Sequence, residues 1–220
     1  MNHKIIRTND GSHSILNTKI NESYHSKHGA IIESKHVFIK NGFETANKNK
    51  LNILEIGFGT GLNALLTLQK SIQKSIKINY HAIELYPLEK RYYSKLNYTN
   101  LIGVEQKELL KIHDCKWGKK IKLNSYFTII KHHKALETYN TNLKFDVIYF
   151  DAFSPRKQPE IWSKDIFKKM HKFLKKDGFL ITYCAKGAVK RTMKSVGFEI
   201  IILDGPPGKR QITRANKSAN

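Results

Sequence analysis

"LEIGFGTGLN", residues 54–63, decides the fold. An apolar run, "LNILEI" from Leu51 to Ile56, stops at three glycines on alternate positions, Gly57, Gly59 and Gly61, and a segment with apolar residues at helical spacing follows. Glycines let a strand turn tightly into a helix and let a ligand approach the backbone, while the first N–H groups of the helix stay unpaired. The stretch reads as a strand, a ligand-holding loop and a helix N-terminus. A dinucleotide fingerprint, GxGxxG, needs its third glycine one position later, where this chain has Leu62.

Outward from this loop the pattern alternates. A helix over about 61–74, a strand "INYHAIE" over about 78–84, a helix over about 87–97 and another over about 104–113 lead to an extended stretch, "LNSYFTIIK". A strand at 145–150, a helix near 163–174, the strand "GFLITYC", a helix near 186–195 and a last strand "FEIIIL" complete the series. Such a succession implies a parallel sheet covered by helices on both faces, an α/β domain over residues 51–215. Residues 1–50 read as a small β-rich extension: an Asp10-Gly11 turn separates two short apolar stretches, and "GAIIESKHVFIKNGF" is a further extended candidate. Residues 216–220 read as a frayed tail.

Two acids stand at strand tips. Ligands of open α/β sheets sit outside the carboxyl ends of the strands, so Glu84 and Asp151 face the same crevice as the glycine loop. A carboxylate at the Glu84 position can accept hydrogen bonds from both hydroxyls of a ribose. Asp151 opens "DAFSPRKQPEIW", in which Pro155 and Pro159 delay the next helix beyond the distance at which Asp151 could cap it. A site role fits it better, because a carboxylate beside a sulfonium can orient an amine nucleophile and favour loss of its proton. Asp146, at the other end of the strand, reads as structural.

The chain has 39 Lys and Arg against 18 Asp and Glu, a formal net charge of +21, which points to a polyanionic partner, nucleic acid first. Most of that charge is Lys in a chain also rich in Asn and Ile, so base composition of the gene is a second source for it. Cys115 and Cys184 form no CxxC pair, and His25 with His28, or His132 with His133, lack a Cys or acid at ligand spacing, so no metal site is expected. No apolar run is long enough to span a bilayer, and the N-terminus lacks an apolar signal core; a cytoplasmic protein is expected.

These motifs carry two resemblances. The acid-x-G-x-G-x-G loop resembles that of class I S-adenosylmethionine-dependent methyltransferases, with a Rossmann-like fold. "DAFSPRKQPEIW" resembles the D-A-F-[SA]-P-x-K-x-P-[ED]-[ILM]-W segment of the MnmC/MnmD family of tRNA 5-methylaminomethyl-2-thiouridine methyltransferases, and "LEIGFGTGLNAL", Trp117-Gly118, "GFLITYCAKGAVKRTMKSVGF" and "GPPGKRQITRA" extend the likeness in order. The resemblance implies S-adenosylmethionine held by Glu55, Gly57, Gly59, Gly61 and Glu84, with Asp151 at the methyl-transfer centre. It implies a tRNA anticodon region as partner and methylation of the exocyclic amine of 5-aminomethyl-(2-thio)uridine at the wobble position. Phe153 and Trp162 could stack on an extruded base, a packing role in the core fitting Trp162 at least as well, and Arg156, Lys157, Lys209 and Arg210 could meet phosphates. The adenine contact is not assigned: residues 131–136 hold no acid, and Glu137 is the first. Bifunctional members carry a fused FAD-dependent oxidase for which 220 residues leave no room, so a stand-alone methyltransferase is expected. Two rivals stay open. An aminopropyltransferase-like enzyme shares the fold, but its small cationic amine suits the basic "SPRK" loop poorly. A non-catalytic RNA-binding protein would tolerate a damaged glycine loop or a lost Asp151, and both are intact.

Overall fold

The computed structural model describes residues 2–217, with 218–220, the end of the expected tail, outside the described residues. Three short strands open it, β1 (His3–Arg7), β2 (His13–Asn17) and β3 (Glu22–Ser23), paired antiparallel in the order β1-β2-β3. The Asp10-Gly11 turn joins the first two, with the Asp10 carboxylate accepting from the Ser12 N–H at 3.0 Å and the Ile32 N–H at 3.0 Å.

The second half of the N-terminal segment corrects the sequence reading. "GAIIESKHVFIKNGF" is helical: α1 (Ala30–Ser34) runs into π-helical turns over Lys35–Phe43 and a 3₁₀ turn over Glu44–Ala46. Its β-branched residues suggested a strand, but Ile31, Ser34, Val37 and Phe38 recur at helical spacing and are all buried. At Gly42 a Cβ would stand 3.0 Å from the Tyr149 ring, so the glycine lets this helix lie close against the sheet.

The main sheet has eight strands. In chain order they are β4 (Lys50–Ile56), β5 (Lys77–Glu84), β6 (Lys120–Lys122), β7 (Phe127–His133), β8 (Phe145–Phe150), β9 (Leu174–Thr182), β10 (Phe198–Asp204) and β11 (Gln211–Lys217). Their spatial order is β10-β11-β9-β8-β4-β5-β7-β6. The five strands from β9 to β7 run parallel, while β11 and β6 pair antiparallel to their neighbours. The helices are α2 (Leu62–Gln73), the short α3 (Lys90–Tyr93) and α4 (Tyr98–Ile102), α5 (Gln106–Asp114), α6 (Lys164–Phe173) and α7 (Gly187–Lys194). Of the helix expected over 87–97 only one turn forms, Lys90–Tyr93. β11 was not foreseen. Asn216 and Lys217, read as tail, pair with Glu199 and Phe198.

Each face of the sheet has its own apolar core. Leu51 and Ile53 of β4 and Val147 and Tyr149 of β8 pack with α1 and its π-helical continuation, α2 and α5. Leu54, Ile56, Ile148 and Phe150, of opposite parity, pack with α6 and α7. Among the described residues no helix is long and apolar enough to cross a membrane.

Asp146 fastens the end of the sheet remote from the glycine loop. Buried to 3% exposure, it accepts from the Asn52 N–H at 2.9 Å, from Lys48 Nζ at 2.7 Å and from Lys175 Nζ at 2.7 Å. Burial alone would raise its pKa; the Asn52 N–H and the two ammonium groups outweigh it and hold the carboxyl below its ordinary value. Asp146→Asn is therefore expected to cost about 1–3 kcal/mol in urea denaturation at pH 7, with both lysine partners partly in solvent. The sign follows from the depressed native pKa: this stability is present above the unfolded carboxyl value and is lost as pH falls through the native one. Wild type and variant should converge in acid, and turnover should stay unchanged.

Candidate active site

The site forms where the sheet's connections diverge. After β4 the chain crosses to β5 on one side, and its other neighbour is β8, which leaves a crevice at the carboxyl ends of these strands. Ile56 of β4 pairs with Ile83 of β5 and with Phe150 of β8. The next residues are Gly57, Glu84 and Asp151, brought to one level by the register. The Gly57 N–H donates to Ile83 O at 3.0 Å and the Asp151 N–H to Ile56 O at 2.9 Å.

Gly57 (φ 86°), Gly59 (φ 48°) and Gly61 (φ 71°) all take left-handed backbone angles. Space is short as well. A Cβ on Gly57 would sit 2.5 Å from Asp151 O, and one on Gly59 would sit 2.9 Å from the Tyr24 ring. Glu84 organises the loop from the side: Oε2 accepts from the Gly59 N–H at 2.9 Å and Oε1 from the Tyr86 N–H at 2.9 Å. Two histidines hold Thr60. His25 Nε2 lies 2.7 Å from Thr60 Oγ1, and His113 Nε2–H donates to Thr60 O at 2.9 Å. Burial lowers both imidazoles to about 4, so they are neutral at pH 7. The remaining histidine pair of the sequence reading is separated, His132 bonding His81 at 3.1 Å.

A cavity of about 580 Å³ opens above these strand tips. Of the residues singled out in the sequence, Gly57, Gly59, Glu84, Asp151, Phe153 and Lys157 line it, joined by Ala135, Leu136 and Glu137 beyond β7. Its opposite wall comes from the N-terminal sheet, with Asn2, His3, Asn17, Lys19, Ile20 and Tyr24. Gly61 lies behind the loop against His113. Glu55 does not reach the cavity: one residue before Ile56, its parity sends it beneath α2. There it is fully buried beside Asn63 and Tyr80, and neither carboxylate oxygen has a hydrogen bond of good geometry among the described residues. Burial, reinforced by the Asp151 charge, pushes the Glu55 carboxyl well above its ordinary range.

Asp151 is partly buried. Asn63 Nδ2 donates to its Oδ2 at 2.8 Å, and its Oδ1 has no hydrogen bond from the described residues. Burial and the nearby Glu33 carboxylate raise its pKa to about 7, against the opposing pull of the Asn63 bond and the Lys209 charge. Lys209 turns inward from the "GPPGKR" turn, bonds Glu33 and lies 4.1 Å from the Tyr183 ring centre, so its charge is engaged inside the protein and not offered to phosphate. Arg156 and Arg210 are exposed outside the cavity. Trp162 is buried, its Nε1–H donating to Phe153 O at 2.8 Å.

Glu22, Tyr24, Glu33 and Asn63 escaped the sequence reading. Glu22 takes the Ser154 N–H and Oγ at 2.9 Å each, and the Tyr24 ring meets the Phe153 ring edge-on at 5.0 Å. Asn63 was visible inside the quoted loop, one step into α2. Glu33 stood as a lone acid on a helix-period apolar face, a signal lost once that segment was read as a strand.

The sequence matches a family model for S-adenosyl-L-methionine-dependent methyltransferases over residues 99–218, more than half of the chain. The chain belongs to this methyltransferase family. The relatives include the tRNA 5-methylaminomethyl-2-thiouridine biosynthesis bifunctional protein MnmC of Campylobacter fetus, 29% identical over 214 residues, covering 92% of this chain and 34% of that protein. The protein of the same name from Cupriavidus metallidurans is 29% identical over 228 residues, covering 96% of this chain and 33% of its own length. The methyltransferase thus spans about a third of the curated relatives it matches. Among solved structures, MnmC2 of Aquifex aeolicus superposes with a TM-score of 0.78 at 22% identity, over 99% of this chain and 70% of that one. Spermidine synthase of Thermotoga maritima superposes with a TM-score of 0.56 at 13% identity, over 99% and 72%. These two likenesses establish the fold.

The chain's own residues fit S-adenosylmethionine. The glycine cradle admits a ligand where a Cβ would not fit, and Glu84 holds each oxygen with one N–H, leaving a further lone pair on each for hydroxyl groups. Gly59→Val should abolish the binding of S-adenosylmethionine in calorimetry, because the side chain both forces an unfavourable φ and fills space held by Tyr24. Unchanged binding would refute this assignment of the loop.

Proposed function

We propose that this methyltransferase acts on tRNA and methylates the exocyclic primary amine of 5-aminomethyl-(2-thio)uridine at the wobble position, giving the 5-methylaminomethyl product. The observation that carries the reading is Asp151: a carboxylate with one oxygen open to the cavity, level with the glycine loop and Glu84. The names of the similar proteins and the net charge of +21 favour tRNA as the carrier of the amine.

S-adenosylmethionine, when bound, supplies a methyl group on a positively charged sulfur. Asp151 does the chain's part of the chemistry. Its free Oδ1 accepts an amine N–H and aims the nitrogen lone pair, while Asn63 fixes the other oxygen. An ammonium cannot attack, so one proton must leave the nitrogen before the C–N bond forms, and the methylated product then carries the positive charge that leaves the sulfur. A carboxyl titrating near 7 can take up a proton and release it to solvent at neutral pH. The Ala152 carbonyl accepts from Tyr183 OH at 2.9 Å, and Glu22 clamps Ser154, so the backbone that carries Asp151 is held on both sides. Phe153 gives the cavity an aromatic face on which an extruded base can stack.

Nucleoside mass spectrometry of tRNA from cells with and without the gene tests the reading. Loss of the gene should leave 5-aminomethyl-(2-thio)uridine in place of its methylated form, and identical nucleoside profiles would refute it. Asp151→Asn tests the mechanism. With both substrates saturating, single-turnover rates should fall on the order of 10²-fold or more, with little change in cofactor affinity. The wild-type rate should rise with pH through about 7 as the carboxyl ionises, and the variant should lose that step. Stability should move the other way. A native pKa above the unfolded value makes the folded state lose stability as pH rises from the unfolded value to the native one, so Asp151→Asn should melt above wild type at pH 8. Near-wild-type turnover in the variant would overturn the role of Asp151.

A further inference from the structure

We infer that the outward faces of α6 and α7 form the docking surface for the sugar-phosphate backbone of the RNA substrate. The inference rests on the tRNA reading above and adds where the RNA lies.

α6 buries Ile166, Phe167, Met170 and Phe173 against the sheet. Its opposite face carries Lys164, Lys168 and Lys172, all exposed and four residues apart, which at 1.5 Å per residue spaces them about 6 Å along the axis. α7 buries Val189 and Met193 and exposes Arg191 and Lys194, with Lys186 exposed at its N-cap. The two helices pack side by side, and both start at the carboxyl end of the sheet, since α6 follows β8 and α7 follows β9. Both rows of charge therefore begin beside the cavity mouth, where Lys157 already lines the rim and Arg156 is exposed.

These six cations make no ion pair and no side-chain hydrogen bond among the described residues. Eight cations elsewhere form ion pairs among the described residues, while others, Lys50, Lys74 and Lys77 among them, form none. Lys107 and Lys111 of α5 pair with Glu105 and Glu108, and Lys48 and Lys175 pair with Asp146. On α6 the only acid is Asp165, in the first turn, where the helix dipole favours it, and α7 has none. Like charges four residues apart on a helix repel, so the row on α6 opposes its own helix unless a polyanion covers it. A nucleic-acid backbone supplies regularly spaced negative charge of the kind that such a row can neutralise.

The test uses the full chain and its tRNA. Lys164, Lys168, Lys172, Arg191 and Lys194 are changed together to Gln, which preserves helix propensity. Lys50, Lys74 and Lys77, exposed at the opposite end of the strands, are changed to Gln as a control. The five-fold variant should bind tRNA on the order of 10-fold or more weaker, and the slope of log K against log salt should shrink by roughly 0.7–0.9 for each phosphate no longer neutralised. Its KM for tRNA should rise while turnover at saturation stays near wild type, and the control should keep the wild-type slope. In wild type, tRNA should shield Lys164, Lys168 and Lys172 from acylation read by mass spectrometry, a measurement independent of how the variant folds. If wild type methylates tRNA but the five-fold variant keeps the full slope, or those lysines acylate equally with and without tRNA, the docking face is overturned and the substrate reading stands. If wild type neither binds nor methylates tRNA, the substrate reading fails first. Tighter binding of anionic phospholipid vesicles than of tRNA through these lysines would assign the face to a membrane and overturn the inference.

Discussion

One row of backbone pairing governs the rest of the site: Ile83, Ile56 and Phe150, side by side in β5, β4 and β8. The residue after each is the one that faces the cavity. Strand side chains alternate, so a slip of one residue in β8 would exchange Asp151 with a buried neighbour and turn the apolar set of that strand to the wrong faces. Both faces of β8 are fully buried, so the cost of a slip falls on its two acids, Asp151 drawn into the sheet and Asp146 taken from its partners. Asp146 and Asp151 then bracket the strand. The first fixes β8 to β4 through the Asn52 N–H, and the backbone N–H of the second does so through Ile56 O.

The N-terminal segment completes what the sheet begins. A sheet edge with a glycine loop supplies one wall of a crevice, and the wall facing it must come from elsewhere. Here it comes from β1 to β3 and α1, joined to the site by short-range contacts: Glu22 on Ser154, Tyr24 between Gly59 and Phe153, His25 on Thr60, and Glu33 through Lys209 near Asp151. All four tether loops that would otherwise be free to move, and ordering a loop carries a conformational cost that such contacts must offset. The cavity is thus walled jointly by the parallel sheet and this added layer.

What was legible in the sequence followed locality. The glycine loop, Glu84 and Asp151 each carry their signal within a few residues, and their meeting follows from a topological rule for parallel sheets. Glu55, which the resemblance assigned to the cofactor, stands one residue short of the strand tip, and one residue reverses the face. Lys209 looked like a phosphate contact because a turn with two cations is normally solvated, and only a carboxylate far away in the chain, Glu33, explains its inward course. "GAIIESKHVFIKNGF" misled through residue type, since Ile, Val and Phe favour strands while their spacing was helical. Glu22 and Tyr24 had no local signal at all, because their roles exist only across the crevice.

The charge distribution unites these parts. The protein carries +21 overall, yet the cavity sets four acids, Asp151, Glu84, Glu137 and Glu160, beside Lys19, Lys134 and Lys157, with Glu55 and Glu33 buried close behind. Burial, with the Glu33 carboxylate close by, raises the Asp151 carboxyl to about 7. The arrangement would be wasteful for a purely anionic ligand. It suits one that is anionic along its length and cationic at the reacting end, as an aminomethyl base on RNA is, and it suits a cationic sulfonium equally. Screening lets the two fields coexist: at physiological salt the Debye length is about 8 Å, so exposed lysines on α6 and α7 act on the phosphates nearest them without cancelling the carboxylates in the crevice. On the proposed reading, the lysines of α6 and α7 would gather a polyanion, and the carboxylate of Asp151 would receive its single amine.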